Sequence, residues 1–250
     1  MALYSIEEAA GMVKMHPAHL RRMAREGMIP ARKVGAQWVL DENSLRQCDP
    51  AGRSAGRAVS PGMSWALLEL VSHGLDAGGS DPSPNLTARL ADRRERYRLR
   101  RLLFGAPAIE QWAFWLRRRA TPKRVWVHPG VIERLSADPR IHHGGGPATV
   151  LAGSGSGAQS PAEQIFYVGE ADVAGVLNDF RGRPDVGGAV QLMVVPSEIA
   201  GLLNLGPGAP VPGAVALVDL LASHDARQRH LAAEILLGAA GRMKTDAIRR

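Results

Sequence analysis

Ser5-Ile6-Glu7-Glu8-Ala9-Ala10-Gly11-Met12-Val13, then His16-Pro17-Ala18-His19-Leu20-Arg21-Arg22-Met23-Ala24-Arg25-Glu26-Gly27, then Val34-Gly35-Ala36-Gln37-Trp38-Val39-Leu40 is the stretch of this chain with the most decided local structure. Ser5 and Glu8, three residues apart, form a capping box in which each side chain satisfies an amide left open at a helix start. A first helix is therefore expected from about Ile6, with Ile6, Ala9, Ala10 and Val13 on its apolar face. Pro17 suits the first turn of a second helix, where its missing N–H would be unpaired in any case. Leu20, Met23 and Ala24 supply the buried stripe of that helix, and Gly27, free to adopt positive φ, ends it. His19, Arg21, Arg22 and Arg25 are left for the solvent side.

Residues 28–40 fit two short strands joined by a tight turn at Gly35-Ala36, with Val34, Trp38 and Leu40 available to cover the helices. Arg32 and Lys33 lie beside that turn, and Asp41-Glu42-Asn43-Ser44-Leu45 reads as the cap and first turn of a third short helix. This order of helix, turn, helix and hairpin resembles the excisionase and MerR-like winged helix-turn-helix family. The family pattern is a Glu-Ala-Ala helix, a Ser-Pro or Thr-Pro helix start, an arginine-rich second helix ending in Gly, and a Val-Gly-x-x-Trp wing. The resemblance covers residues 3–47, with His16 standing where the family commonly carries a hydroxyl cap. It implies double-stranded DNA as the partner. His16, Ala18, His19, Arg21, Arg22 and Arg25 would meet the major groove, base edges falling to the N-terminal part of the helix. Arg32 and Lys33 of the wing would grip the backbone, which sets register without reading sequence, and Gln37 of the wing is a further DNA-binding candidate.

The whole chain has 250 residues, 45% of them hydrophobic, enough for one large or two modest domains with a real core. Its net charge of +7 is unevenly spread. Residues 1–50 carry 7 Lys/Arg against 6 Asp/Glu, residues 51–126 carry 14 against 6, and residues 127–250 carry 10 against 12. The excess of +8 in the middle stretch favours a polyanion, because each phosphate neutralised releases condensed counterion. The single cysteine, Cys48, can form neither an internal disulfide nor a cysteine-rich zinc site, and it suits a reducing compartment. No charged-then-apolar leader precedes the capping box, and apolar runs such as residues 190–196 are far too short to cross a bilayer. A cytoplasmic protein without membrane contact is expected.

Residues 49–62, rich in Pro, Gly, Ser and Ala without apolar periodicity, read as a linker. A helix is expected from Met63 through Trp65, Leu67, Leu68, Leu70 and Val71, followed by a loop at residues 78–84. A longer helix is expected over residues 86–104, with Leu86, Leu90, Tyr97, Leu99, Leu102 and Leu103 on its apolar side. Arg93, Arg94, Arg98 and Arg101 flank that stripe, and Arg117, Arg118 and Arg119 follow a further helix containing Trp112, Phe114 and Trp115. These arginines fit two roles, auxiliary phosphate contacts or an interface for an acidic protein partner. The tryptophans, at helical spacing among leucines, belong to a core.

From Lys123 onward short β-type runs at residues 124–127, 148–151, 164–168 and 190–195 alternate with helices at 129–135, 170–180, 215–222 and 226–238. The expected fold class is α+β, divided into a winged module (1–48), a linker (49–62), a basic helical segment (63–122) and a mixed domain with a small sheet (123–250). The glycine-rich stretches 144–146 and 153–157 lack the Gly-Lys-Ser/Thr of a phosphate-binding loop. No aspartate pair follows Gly153-Ser154 as a nucleotidyltransferase would need. His128, His142 and His143 lack a third ligand at metal-binding spacing, and no Gly-x-Ser-x-Gly elbow occurs. No enzyme activity, metal or cofactor is expected.

The region from Trp112 to Leu237 faintly resembles the C-terminal part of AbiE-type antitoxins and related regulators. It shares a Val-x-Val strand, a Tyr-Val strand, a Val-x-Leu-x-Val-Val-Pro-like strand and Leu217-Val218-Asp219-Leu220-Leu221-Ala222-Ser223-His224-Asp225-Ala226-Arg227. That resemblance implies a repressor of its own operon that also counters a cognate toxin protein. On physical grounds Asp225 is expected to cap the last helix, and Asp219 to pair with Arg227. The combined expectation is a sequence-specific transcriptional regulator acting as a homodimer. The alternatives are an antitoxin acting mainly by protein binding, and an excisionase-like factor that bends DNA for a recombinase; such factors are little more than the winged module.

Overall fold

The computed structural model describes residues 3–25, 29, 31–48, 59–75, 97, 112, 115–146, 164–185, 188–203, 207–222 and 226–249. The N-terminal unit runs β1 (Leu3–Ser5), α1 (Ile6–Met12), α2 (Pro17–Arg25), β2 (Arg32–Val34), β3 (Gln37–Asp41) and α3 (Glu42–Cys48). The capping box forms as the sequence dictates: Glu8 N donates to Ser5 Oγ at 3.2 Å, and Ser5 N donates to Glu8 Oε2 at 2.8 Å. The chain reverses after α1 through Lys14 at φ 49°, with Met15 N donating to Ala10 O at 2.9 Å. Asp41 Oδ1 starts α3 by accepting from Ser44 N at 2.8 Å and Ser44 Oγ at 2.7 Å. Ile6, Ala9, Ala10, Val13, Leu20, Ala24, Ile29, Leu40, Leu45 and Cys48 form the core. Leu20 and Leu40 are fully buried, each contributing about 1.5–3 kcal/mol of burial free energy. Strand β1 was not expected, because three residues carry no readable alternation; it exists through antiparallel pairing with β3, giving the order β1-β3-β2.

The second unit begins with α4 (Pro61–Leu75) and, after a 3-10 turn at Leu116–Arg118, continues through β4 (Thr121–Trp126), α5 (Ile132–Ser136), β5 (His142–His143), β6 (Gln164–Gly169), α6 (Val173–Asp179), β7 (Arg183–Pro184), β8 (Val190–Val195), α7 (Ser197–Leu203), α8 (Gly213–Leu221) and α9 (Ala226–Arg249). Its five-stranded sheet has the order β5-β6-β8-β4-β7. Among the described strands only β6 and β8 run parallel, joined by a connection that contains α6, as a parallel pair requires a crossover. Alternation along the strands gives the sheet two apolar faces. Val125, Phe166, Val168, Val190, Leu192 and Val194 meet Leu135, Val173 and Val176 on one side. Tyr167, Met193 and Val195 meet α4, α8 and α9 on the other. The result is a mixed sheet between two helical layers, an α+β fold. Ala214 to Asp219 of α8 are all buried, which is why that segment is apolar on every side.

Several boundaries move. Val59 is buried and Ser60 Oγ accepts from Met63 N at 3.3 Å, so the end of the stretch expected to be linker is packed, and α4 includes Pro61 and Gly62. Residues 49–58 lie outside the described residues. Helix α4 shares its core with Trp112, Trp115, Leu116 and Ala120 and with α8 and α9, so no core boundary falls at residue 122. Both tryptophans are core, as expected, whereas Tyr97 is 71% exposed rather than part of a buried stripe. The remainder of the expected 86–104 helix, Phe114, and the expected strand 148–151 lie outside the described residues. Strands β5 and β7 and helix α7 were not anticipated; two-residue edge strands are fixed by their neighbours, not by their own pattern. Helix α6 starts late because Asp172 N donates to Gly169 O at 2.9 Å, closing a turn after β6. Helix α9 passes through Gly238, because Ala239 and Ala240 beyond it are buried against the core.

Candidate nucleic-acid interface

Helix α2 buries Leu20 and Ala24 and leaves Ala18, Arg21, Arg22 and Arg25 exposed at the i, i+3, i+4, i+7 spacing that lines one helical face. His16 and His19 are exposed at its start. The hydroxyl missing from the cap position is replaced by an imidazole: Ala18 N donates to His16 Nδ1 at 3.2 Å. Two of the arginines are oriented by neighbours. Arg21 Nη2 donates to Glu7 Oε1 of α1 at 2.7 Å, and Arg22 Nη2 lies 3.2 Å from His19 Nδ1 one turn earlier.

The hairpin beside α2 closes with Val34 opposite Gln37 and Gly35 at φ +60°. Positive φ at the first of two turn residues is the II′ pattern, whose twist suits a two-residue hairpin. Arg32 pairs in register with Val39 and Lys33 with Trp38. Because successive side chains leave opposite faces of a strand, the two cations expected to act together are separated. Lys33 shares the face of Trp38 and Leu40, which packs on the helices, while Arg32 shares the outer face with Val34 and Gln37. Arg32, Lys33 and Gln37 are all exposed. Val34, expected to cover the helices, is instead 58% exposed, a consequence of the same alternation.

Residues 3–47 match a helix-turn-helix domain. No curated protein and no solved structure matches the chain. The helix-turn-helix domain is a DNA-binding segment. No described helix is long and apolar enough to cross a membrane. Among the described residues no three His, Cys, Asp or Glu side chains gather so as to hold a metal ion.

Outside the helix-turn-helix domain, the auxiliary arginines divide sharply. Arg117 and Arg118 are exposed on the 3-10 turn, and Arg93, Arg94, Arg98 and Arg101 lie outside the described residues. Arg119 is not a surface cation: it is 7% exposed and available to neither phosphate nor partner. Its Nη2 donates to Asp219 Oδ1 at 2.5 Å, its Nε to Tyr167 Oη at 2.9 Å and its Nη1 to Leu116 O at 3.1 Å. Tyr167 Oη donates to the same Asp219 oxygen at 2.7 Å, and Gly145 N donates to Asp219 Oδ2 at 3.1 Å. Trp65 Nε1 donates to Arg119 O at 2.8 Å and its ring meets Tyr167 edge-on at 5.9 Å.

Burial alone would make the Arg119 proton easier to lose, but Tyr167 and Asp219 outweigh it and hold the guanidinium charged. Burial, with Asp219 adding to it, pushes the Tyr167 hydroxyl well above its ordinary range, so it stays a neutral donor despite Arg119. Asp219 thus pairs with Arg119 rather than with Arg227, and Asp225 lies outside the described residues. The local reading pointed elsewhere, since Arg119 reads as the third of a solvated arginine run and Asp219 as a partner for Arg227. The one available signal was an aspartate inside Ala214-Val215-Ala216-Leu217-Val218-Asp219-Leu220-Leu221, a run otherwise too apolar for a surface helix.

Proposed function

We propose that this protein is a sequence-specific DNA-binding transcriptional regulator of the cytoplasm, without catalytic activity or cofactor, in which α2 reads the major groove and the wing holds the backbone. The observation that carries it is the face of α2. Ala18, Arg21, Arg22 and Arg25 lie in one exposed row with His16 and His19 at its N-terminal end, inside a segment that matches a helix-turn-helix domain. Such a helix presents its N-terminal residues to base edges, and arginine is the side chain whose fork matches guanine O6 and N7. Arg32 and Lys33, leaving opposite faces of the hairpin, can straddle a phosphate backbone running past the wing. One such module grips a short site, so a homodimer on two half-sites about one helical turn apart accompanies the reading.

An excisionase-like role is the second reading, favoured by the same domain match. The large second unit, with its own two apolar clusters, weighs against it. The antitoxin reading has no comparable support: Asp219, within the segment that suggested it, is occupied inside the core. Selection from random duplexes followed by footprinting tests the proposal. Arg21→Ala with Arg22→Ala should erase base preference, each arginine accounting for about 1–3 kcal/mol of discrimination. Arg32→Ala should weaken all duplexes alike and flatten the salt slope by about 0.9. An unchanged footprint for the double variant removes α2 from this role.

A further inference from the structure

Glu7 sits in the first turn of α1, yet the cap of that helix is made by Ser5 and Glu8, which leaves the Glu7 carboxylate to another partner. That partner is Arg21, fourteen residues on and in the row of α2 side chains assigned above to the groove; Glu7 Oε1 accepts from Arg21 Nη2 at 2.7 Å. Both side chains are more than half exposed, at 53% for Arg21 and 65% for Glu7. An ion pair so exposed adds little to stability. Its consequence lies in what it does to the guanidinium.

We propose that Glu7 is a positioning residue that aims Arg21 at a guanine and withholds it from phosphate; this rests on the reading of α2 given above. Nη2 carries two hydrogens, one of which points to Glu7, so the second and those of Nη1 remain as a fork for O6 and N7 of guanine. Holding the side chain in one conformation removes rotamer freedom that an untethered arginine would lose on binding. The carboxylate also makes the pair neutral as a unit and repels phosphate oxygens, so Arg21 adds little to non-specific attraction. Arg22 differs: its neighbour is the imidazole of His19. Among the described residues, Arg21 is the arginine of α2 that is paired with a carboxylate.

The test uses the full chain, the duplex selected by the wild type, and the same duplex with each G·C pair replaced in turn. Glu7→Gln preserves shape and removes the charge, and its melting temperature should stay near that of the wild type. Discrimination at the position that Arg21→Ala identifies should fall about fivefold or more. Binding to random duplex should be equal or tighter, and the slope of log affinity against log salt should steepen by about 0.9 as Arg21 turns to a phosphate. Adding Glu7→Gln to Arg21→Ala should change base discrimination no further, because Glu7 acts on it through Arg21. Wild-type discrimination and an unaltered slope in Glu7→Gln overturn the inference while leaving the reading of α2 intact. If Arg21→Ala affects no base position, the reading itself fails and the inference with it.

Discussion

The two units place the same residue type in opposite environments. In the helix-turn-helix domain the charged side chains at positions 21, 22, 25, 32 and 33 are exposed around a core in which, among the described residues, Ser44 is the only deeply buried polar group. In the second unit Arg119 and Asp219 lie inside, joined to Tyr167 and to the Gly144-Gly145 turn. An added Cβ at Gly144 would come within 2.8 Å of both Asp219 Oδ2 and the Tyr167 ring, so the chain approaches the network as closely as a glycine permits. Arginine in the first unit stays at the surface; Arg119 in the second ties the 3-10 turn, the sheet and α8 together. At Arg119 and Asp219, polar character in sequence did not reveal location; the packing decided it.

The sharpest way to break this contrast is to remove the buried carboxylate. Asp219→Ala leaves the Arg119 charge uncompensated inside the core and should cost about 3–5 kcal/mol in urea unfolding of the second unit. Binding of DNA by residues 3–47 should persist under conditions where the variant remains folded. Replacing both partners, Arg119→Met with Asp219→Leu, should cost less than the single change, since no buried charge is then orphaned. An equal or greater loss for the pair would mean that the network contributes through its hydrogen bonds to Tyr167 and Leu116 more than through charge compensation.

A smaller change belongs to the first unit. Ser5→Ala removes the acceptor for Glu8 N at the start of α1 and should lower stability by about 1 kcal/mol, read as a shift in denaturation midpoint. A mutant indistinguishable from wild type would show that α1 is held by Ile6, Ala9 and Ala10 alone.

The smallest effect is a pH dependence at Asp138. Its carboxyl is held below the ordinary value of 3.8 chiefly by the side-chain hydrogen bond from Arg140, with burial opposing. A carboxyl whose value is depressed by folding stabilises the fold above its unfolded value, and that contribution fades as pH falls through the lower folded one. Asp138→Asn should therefore flatten the acid limb of a stability-versus-pH curve and leave its slope near neutrality unchanged. An acid limb identical to that of the wild type would assign the effect to other carboxylates.

The legible parts were those fixed by neighbours in the chain. The capping box, Pro17, the Gly35 turn and the Asp41 cap each involve contacts within four residues, and each forms where the sequence puts it. The face of α2 was equally readable, because helical period alone separates Leu20 and Ala24 from Arg21, Arg22 and Arg25. The hairpin was half legible: its turn was evident, but the side on which Val34 falls depends on register with β3. Strand β1 and the edge strands β5 and β7 have too few residues for a pattern and exist because a neighbouring strand offers its hydrogen bonds.

Sequence alone determined the order of elements in residues 3–47, the exposed arginine row and the basic excess, because capping, turn geometry and helical period act over a few residues. Tertiary structure decided which charges are paired at the surface and which are taken into the interior. Arg21 meets Glu7 across fourteen residues, and Arg119 meets Asp219 across one hundred. Such pairings depend on how whole helices and strands pack, a relation that no local pattern of residues encodes.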